Sequence, residues 1–415
     1  MQHFRSSTLK VFFPFAVGYF LSYVFRVVNA VIAPDLVSDL NISPSQLGLL
    51  TGTYFISFAS SQIPLGIFLD RFGPRIVESF LLIFAGIGAL IFSMADSLAA
   101  VVLGRAFIGF GVSACLMAAF KSYVIWFPER LWPRINGFQM AAGGFGALSA
   151  TVPVEWILHF TDWRGLFQIL AILSIAIALL IFFIVPEKKS VSKGAESLSE
   201  QFQGIKKVFT SIKFWQIAPL TMLSQASYLS LQGLWAGPWL RDVAHMDRPQ
   251  VAGILSYAAM AMIVGYVLLG FTAEKLKERG VKVLHTAIVG MSLFITTQVL
   301  IAFYVGLPAK WLWILFGFFG TSGILCYSVL TSFFPLKMSG RVTTGINLMV
   351  FISAFILQWA IGVIINFWEI SVSGNYHSDG YKTAFLIMVS LQISGLFWCL
   401  FLEIKGITNS DKCKH

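Results

Sequence analysis

Charge is the scarce ingredient of this sequence. Of its 415 residues only 12% are Asp, Glu, Lys or Arg, about half the share of a soluble protein. That is too little to cover a folded surface, which argues against a soluble helical protein with an outsized core. Cysteine is almost absent, with Cys115, Cys326, Cys399 and Cys413 the only four. Three fall in apolar runs and one in the tail, and none has metal-ligand spacing, so neither a disulfide framework nor a metal site is expected. No G-x-x-x-x-G-K-[ST] stretch occurs, which excludes a phosphate loop driven by ATP. Nor is there a Ser/His/Asp set, a metal cluster or a catalytic carboxylate pair at membrane depth, so the chain reads as a non-enzyme without a cofactor. The first apolar run lacks a small-residue cleavage site and reads as an uncleaved helix, not a signal peptide.

Apolar residues fill the space that charge leaves. They make up 57% of the chain and aromatics 15%, with mean hydropathy +0.80. Runs of about 20 apolar residues, long enough to cross a bilayer, recur along the chain. Twelve are expected: Val11–Ala33, Leu47–Leu69, Ile76–Ala95, Leu98–Tyr123, Pro133–Leu158, Arg164–Val185, Phe214–Gly237, Val251–Phe271, Val283–Tyr304, Leu307–Phe334, Val342–Phe367 and Tyr381–Glu403. Pro133 suits a first helical position, where its missing N–H costs least.

Net charge is +10, but the basic residues alternate between loops. One set of loops carries Arg71, Arg75, Arg130, Arg134, Lys188, Lys189, Lys193, Lys206, Lys207, Lys213, Lys275, Lys277, Arg279, Lys282, Lys337 and Arg341; the other has only Arg164, Arg241, Arg248, Lys310 and Lys382. Such alternation is a topology signal, not a nucleic-acid footprint, and it places the first set and both termini in the cytoplasm. The polar stretch 186–213 separates residues 1–185 from 214–415, six runs from six. It is expected to be a cytoplasmic linker with a short amphipathic helix around Phe202–Phe209.

The two halves echo each other. Gly270-Phe-Thr-Ala-Glu274-Lys275 repeats Gly66-Ile-Phe-Leu-Asp70-Arg71 at an offset of 204, from 70 to 274. The same offset carries Pro34 to Pro238, and Arg341-Val-Thr-Thr-Gly345 is a looser echo of Arg134-Ile-Asn-Gly137. A duplicated six-helix unit follows.

These residues carry a resemblance. Gly66-x-x-x-Asp70-Arg71-x-Gly73-x-Arg75 resembles the signature of the major facilitator superfamily, departing at Pro74, where a basic residue is usual. Gly104-Arg105-x-x-x-Gly109-x-Gly111 resembles its second motif, and Asp162-Trp163-Arg164 is a further common feature. The resemblance implies an all-α membrane protein of 12 transmembrane helices in two pseudo-symmetric six-helix bundles. It also implies a site between the bundles exposed alternately to each side. Gly66, Asp70, Arg71, Gly73 and Arg75 are then a gate, with Glu274 and Lys275 as its counterpart. Arg26-x-x-Asn29 ahead of Pro34 is similar to the organophosphate/phosphate antiporter branch, whose segment is Arg-Lys-Asn; Val27 and Val28 depart from it.

A charge at mid-bilayer costs about 2.5–3.5 kcal/mol, so each one asks for a partner or an aqueous cavity. Tyr19, Ser22, Tyr23, Arg26 and Asn29 share one helical face. The guanidinium of Arg26 is a fixed fork of donors suited to a carboxylate or phosphate; the alternative is a structural ion pair or snorkelling. For Arg105 the resemblance implies proton coupling or inter-helix bonding. Lys121 is 16 residues further on and cannot share its face, so it lines an inner cavity or snorkels. Glu155 is either a proton-loading carboxyl or a gate pair with Arg26 or Arg105. The second half offers Gln225, Tyr228, Gln232 and Trp235 along one side of its first helix, then Tyr257, Tyr327, Asn347 and Gln358 as substrate contacts or inter-helix bonds.

The reading is a monomeric secondary transporter in a bacterial inner membrane, taking up a small anionic or zwitterionic organic solute with protons. The Gly-Pro-x-x-Gly-Gly signature of proton-driven exporters is missing; the corresponding region is Gly143-Gly144-Phe145-Gly146, with Pro153 well after it. The alternatives are an exporter of drugs or siderophores, and a sensor or accessory subunit that moves nothing.

Overall fold

The computed structural model describes residues 8–187, 198–335, 338–369 and 375–404. Lys188, Lys189, Lys193, Lys337 and Cys413 lie outside the described residues. The described chain is helical throughout. Span α1 comprises a π turn, Thr8–Phe12, and the helices Phe13–Val27 and Asn29–Leu40. Spans α2 and α3, residues 44–72 and 74–93, form the 50-residue helix Pro44–Ser93, broken at Gly73. Span α4 is Leu98–Gly111 and Cys115–Trp126, α5 is Trp132–Ser149 and Val152–Ile157, and α6 is Trp163–Ile184. The connecting helix α7 is Leu198–Phe209. Span α8 runs Ile212–Ser230, a π turn Leu231–Trp235, then Ala236–Asp242. Spans α9, Arg248–Glu278, and α10, Val283–Phe303, are continuous; α11 is Ala309–Phe319, a 3₁₀ turn Gly320–Gly323, and Ile324–Ser332. Spans α12 and α13 are Ser339–Ile365 and Ser378–Ile404.

Among the described residues nine helical stretches are long and apolar enough to cross a membrane. Splitting Pro44–Ser93 at Gly73 and adding the interrupted α5 and α8 gives twelve spans among the described residues. At α2 and α9 the helix begins three residues ahead of the apolar run, because capping continues the hydrogen-bond ladder past the hydrophobic stretch. Ser43 and Gln46 form a capping box ahead of α2. Asp247 and Gln250 form another ahead of α9, at the repeat offset already seen between the two charged turns.

Gly73 turns the chain with φ 78°, a conformation that L side chains rarely adopt. A Cβ there would touch nothing within 4 Å, so the glycine serves backbone geometry, not space. Gly109 is the opposite case. A Cβ there would lie 2.3 Å from the carbonyl oxygen of Tyr54, so the glycine lets α4 lie against α2.

One polar staple holds the loop ends of α1 and α6 together. Asp162 caps α6 by accepting from the Gly165 N–H at 2.8 Å. Trp163 Nε1 and Arg164 Nη1 both donate to Asp39 Oδ2 at 2.8 Å. The Trp163 N–H, with Arg164 beside it, holds the Asp39 carboxyl below its ordinary value. A carboxyl depressed in the fold stabilises above its unfolded value, about 3.9, and loses that stabilisation as pH falls through the folded value. Acidification below about pH 4 is therefore expected to lower the melting temperature of the wild type by more than that of Asp39→Asn. Parallel melting curves at pH 7 and pH 3 check this; an identical acid response of both proteins refutes it.

Candidate functional site: a central cavity with one arginine

The α1 stripe opens onto a cavity of about 670 Å³. Tyr19, Ser22, Tyr23 and Arg26 of α1 line one wall, with Gln62 of α2, Ser113 of α4 and Asn136 of α5 beside them. Gln225 and Tyr228 of α8, Tyr266 of α9, Tyr327 of α11 and Asn347 of α12 line the other. Five tyrosine rings and several amides thus surround a single guanidinium. Arg26 is buried, 7% exposed. Its guanidinium carbon lies 4.5 Å from the Tyr23 ring, 5.6 Å from Phe58, 5.7 Å from Phe351 and 5.9 Å from Tyr54. Ring faces attract the cation without using up its directional N–H donors. Among the described residues Arg26 forms no ion pair with a carboxylate, so its charge faces the cavity unneutralised.

Toward the Gly73 turn the lining continues through Gln62, Met117, Phe120 and Thr343 into a second space of about 500 Å³. Here Lys121 donates to the Asp70 carboxylate, and Arg341 stands on the facing α12. Arg75 holds the other side of the turn, donating to the Val185 carbonyl at 3.3 Å and pairing with Glu187 at 3.1 Å. Gly66 lines this space, and Arg71 packs on Phe72 at 5.3 Å.

The opposite end is closed. Arg248 donates Nη1 and Nη2 to the two oxygens of Asp35 at 2.9 and 2.7 Å, and Nε to Glu155 at 2.6 Å. One arginine of α9 thereby ties α1 to α5. Deeper in, Trp235 Nε1 donates to the Gln358 carbonyl at 3.0 Å. A Cβ on Gly237 would lie 1.9 Å from the Ala30 carbonyl oxygen, so α1 and α8 meet backbone to backbone.

Several residues expected at the site stand elsewhere. Asn29 follows the interruption of α1 at Val28 and donates to Thr51 Oγ1 at 3.0 Å, away from the cavity. Trp235 and Gln232 leave the cavity because the π turn Leu231–Trp235 rotates α8 by an extra residue. Gln232 instead reaches Met262 at 3.3 Å. Gln358 shares a face with Asn347, but 11 residues place it about 16 Å further along α12. Its side chain is fully buried. Tyr257 is 44% exposed on the outside of the bundle, with the Lys310 ammonium 4.1 Å from its ring. Asn347 does face the cavity, where its side-chain oxygen accepts from the Tyr327 hydroxyl at 2.8 Å.

The charged residues have the following surroundings. Glu155 pairs with Arg248, not with Arg26 or Arg105. Arg105 is fully buried against the Tyr54 ring, 5.1 Å away, with no hydrogen bond to any guanidinium nitrogen. Lys121 belongs to the Asp70 pair at the mouth, below the Arg26 chamber. Glu274 and Lys275 are exposed and have no ion-pair partner among the described residues. Gln62, Asn136 and Tyr266 were visible in the sequence only as polar residues in apolar runs, with no pattern to rank them. Arg248 and Asp35 looked like ordinary loop charges because nothing in the sequence says that their loops meet.

A profile of the Major Facilitator Superfamily matches residues 15–358. The chain is 24% identical over 278 residues to a probable sulfoacetate transporter, SauU, of Cupriavidus necator, a match covering 63% of this chain and 64% of that protein. It thus spans less than two thirds of that relative's length. It is 25% identical over 328 residues to the cis,cis-muconate transport protein of Acinetobacter baylyi, covering 75% and 76%. Its fold matches the crystal structure of a bacterial homologue of the human lysosomal transporter Spinster, in an inward-facing, unoccupied conformation. The TM-score is 0.75 at 19% identity, over 94% of this chain and 96% of that one. A match over most of the chain, on a bundle of broken helices around a central cavity, shows that this all-helical membrane protein belongs to the Major Facilitator Superfamily.

Proposed function

We propose that this protein is a secondary active transporter that takes up a small organic anion together with protons. The observation that carries the reading is Arg26, a cation without a carboxylate partner, facing a cavity otherwise lined by aromatic, amide and hydroxyl groups. A carboxylate, sulfonate or phosphate would receive two N–H donors from the guanidinium. The tyrosines and Asn347 would read the rest of the solute by shape and hydrogen bonds. The relatives named for sulfoacetate and muconate act on solutes of this chemistry.

In this reading residues 1–185 and 214–415 are two six-helix halves, joined by 186–213, that rock about the site. Basic loops and both termini face the cytoplasm, so the cavity opens inward and the Arg248 cluster is the closed outer gate. The Asp70–Lys121 pair then regulates the inner side. Thermal-shift measurements on purified protein test the reading with sulfoacetate, cis,cis-muconate and D-glucuronate, against neutral D-glucose. Stabilisation by an anion but not by glucose is expected; no response to any anion, or an equal response to glucose, overturns it.

Asp70→Asn tests the inner gate. Lys121 and Asp70 side chains are 20% and 38% exposed, so the pair is worth about 1 kcal/mol or less. Transport into liposomes is expected to slow by about two- to fivefold, with anion affinity unaltered. A loss of affinity, or wild-type transport rates, refutes the assignment.

A further inference from the structure

Glu78 of α3 is fully buried, and neither carboxyl oxygen has a hydrogen-bond partner. Its pocket is made by three other spans. A Cβ on Gly18 of α1 would lie 2.4 Å from Oε1, and Ile181 of α6 closes the same side. From α4 the Cys115 thiol faces the carboxyl and Tyr123 stands near. The Tyr123 hydroxyl is committed elsewhere, donating to Gln139 at 2.6 Å. On its own helix Arg75 points away, toward Val185 and Glu187. A carboxylate so placed, with only the weak thiol donor of Cys115 and no cation beside it, is costly, whereas the neutral acid is tolerated.

The pocket lies directly behind the cavity wall. Gly18 precedes Tyr19, and Cys115 precedes Leu116, both of which line the cavity. Arg26 stands eight residues beyond Gly18 on the same helix. On α4, Ser122 lies two turns from Cys115 toward the Asp70 end; its hydroxyl is buried without a partner, and it borders a recess of about 400 Å³ that also contains Asp70 and Arg75. A polar step thus leads from the Asp70 end toward Glu78.

We propose that Glu78 is the proton-binding site coupled to the anion at Arg26. The proposal rests on the reading of the protein as a proton-driven anion transporter. The step is a simple transfer: an O–H bond forms on a Glu78 oxygen as a hydronium ion loses a proton, and the reverse occurs on release. The coupling is electrostatic. The Arg26 charge favours an ionised Glu78, and a bound anion cancels that charge, so anion and proton each favour the other. Gly18, against which the carboxyl packs, lies about 12 Å from Arg26 along the helix, and at a charge separation of that order, with an effective dielectric near 20, the effect on apparent anion affinity is at most about tenfold.

Two measurements decide it. Infrared spectra of the solute-free protein in lipid nanodiscs at pH 7 are expected to show a carboxylic-acid C=O band that is lost in Glu78→Gln. An unchanged spectrum overturns the proposal. In proteoliposomes with sulfoacetate as the probe, an imposed pH gradient is expected to drive accumulation by the wild type and by Glu78→Asp, which retains an acid. Glu78→Gln is expected to equilibrate sulfoacetate and keep counterflow, which shows that it is folded, but not to accumulate it. Gradient-driven accumulation by Glu78→Gln overturns the proposal while leaving the transporter reading intact. A wild type that transports sulfoacetate without response to the gradient overturns proton coupling itself, and the proposal with it. Should sulfoacetate not enter at all, the infrared band alone decides whether Glu78 holds the proton.

Discussion

Arg26→Ala is expected to weaken anion binding by about 100-fold, or about 3 kcal/mol, the scale of a bidentate charge-assisted contact in a desolvated chamber. Tyr23, Phe58 and Phe351 offer Arg26 ring faces and Tyr54 a ring and a hydroxyl, none of which neutralises its charge. No other described side chain lining the Arg26 chamber is a lysine or arginine, so nothing substitutes for it. Arg26→Lys keeps the charge but loses the planar fork, and a loss of about tenfold is expected. Folding should not suffer, because a buried cation without a carboxylate partner is a liability that alanine removes. The alanine variant is therefore expected to melt no lower than the wild type. Titration calorimetry with the anion that most stabilises the wild type makes the comparison. Affinity within threefold of wild type for Arg26→Ala would show that the anion sits elsewhere.

The second large effect concerns the closed end. Arg248 joins Asp35 and Glu155, two carboxylates that face each other across α1 and α5. Without the arginine they repel, and α9 loses its tie to both helices. Side-chain exposures of 37% for Arg248, 28% for Asp35 and 9% for Glu155 moderate the energy through solvent screening. About 1–2 kcal/mol is expected, enough to raise the population open at this end about five- to thirtyfold. Spin labels at Phe160 and Val305, both exposed, would report a longer distance in Arg248→Ala. The labels are placed in a Cys413→Ser background, where the remaining native cysteines, Cys115, Cys326 and Cys399, are buried. An unchanged distance distribution would remove Arg248 from the gate.

Much of this was written locally in the chain. Apolar run length predicted the twelve spans, because a bilayer imposes length and hydropathy on each segment independently of its neighbours. Gly73 and the Asp70 turn were legible for the same reason: a turn is a property of a few adjacent residues. The α1 stripe was legible as far as Arg26, since helical periodicity alone puts Tyr19, Ser22, Tyr23 and Arg26 on one face. It failed at Asn29, which bonds to Thr51 of α2, and at Gln232 and Trp235, where a π turn resets the register of α8. Periodicity assumes a continuous helix, and a backbone break moves every later residue to a new face.

Partnership was the other failure. Glu155 read as a buried carboxyl seeking an arginine, but which arginine depended on two segments 93 residues apart meeting in space. Glu78 drew no notice because it falls near the end of an apolar run, where a charge ordinarily reaches water. Only the packing of α1, α4 and α6 around it removes that outlet. The sequence by itself thus determined the membrane setting, the number of spans and the single arginine of the central stripe. The tertiary structure decided which charges are paired, which are stranded and which end of the bundle is closed. The physical reason is that hydropathy and turn chemistry act within a segment, whereas neutralising or stranding a charge depends on atoms contributed by distant segments.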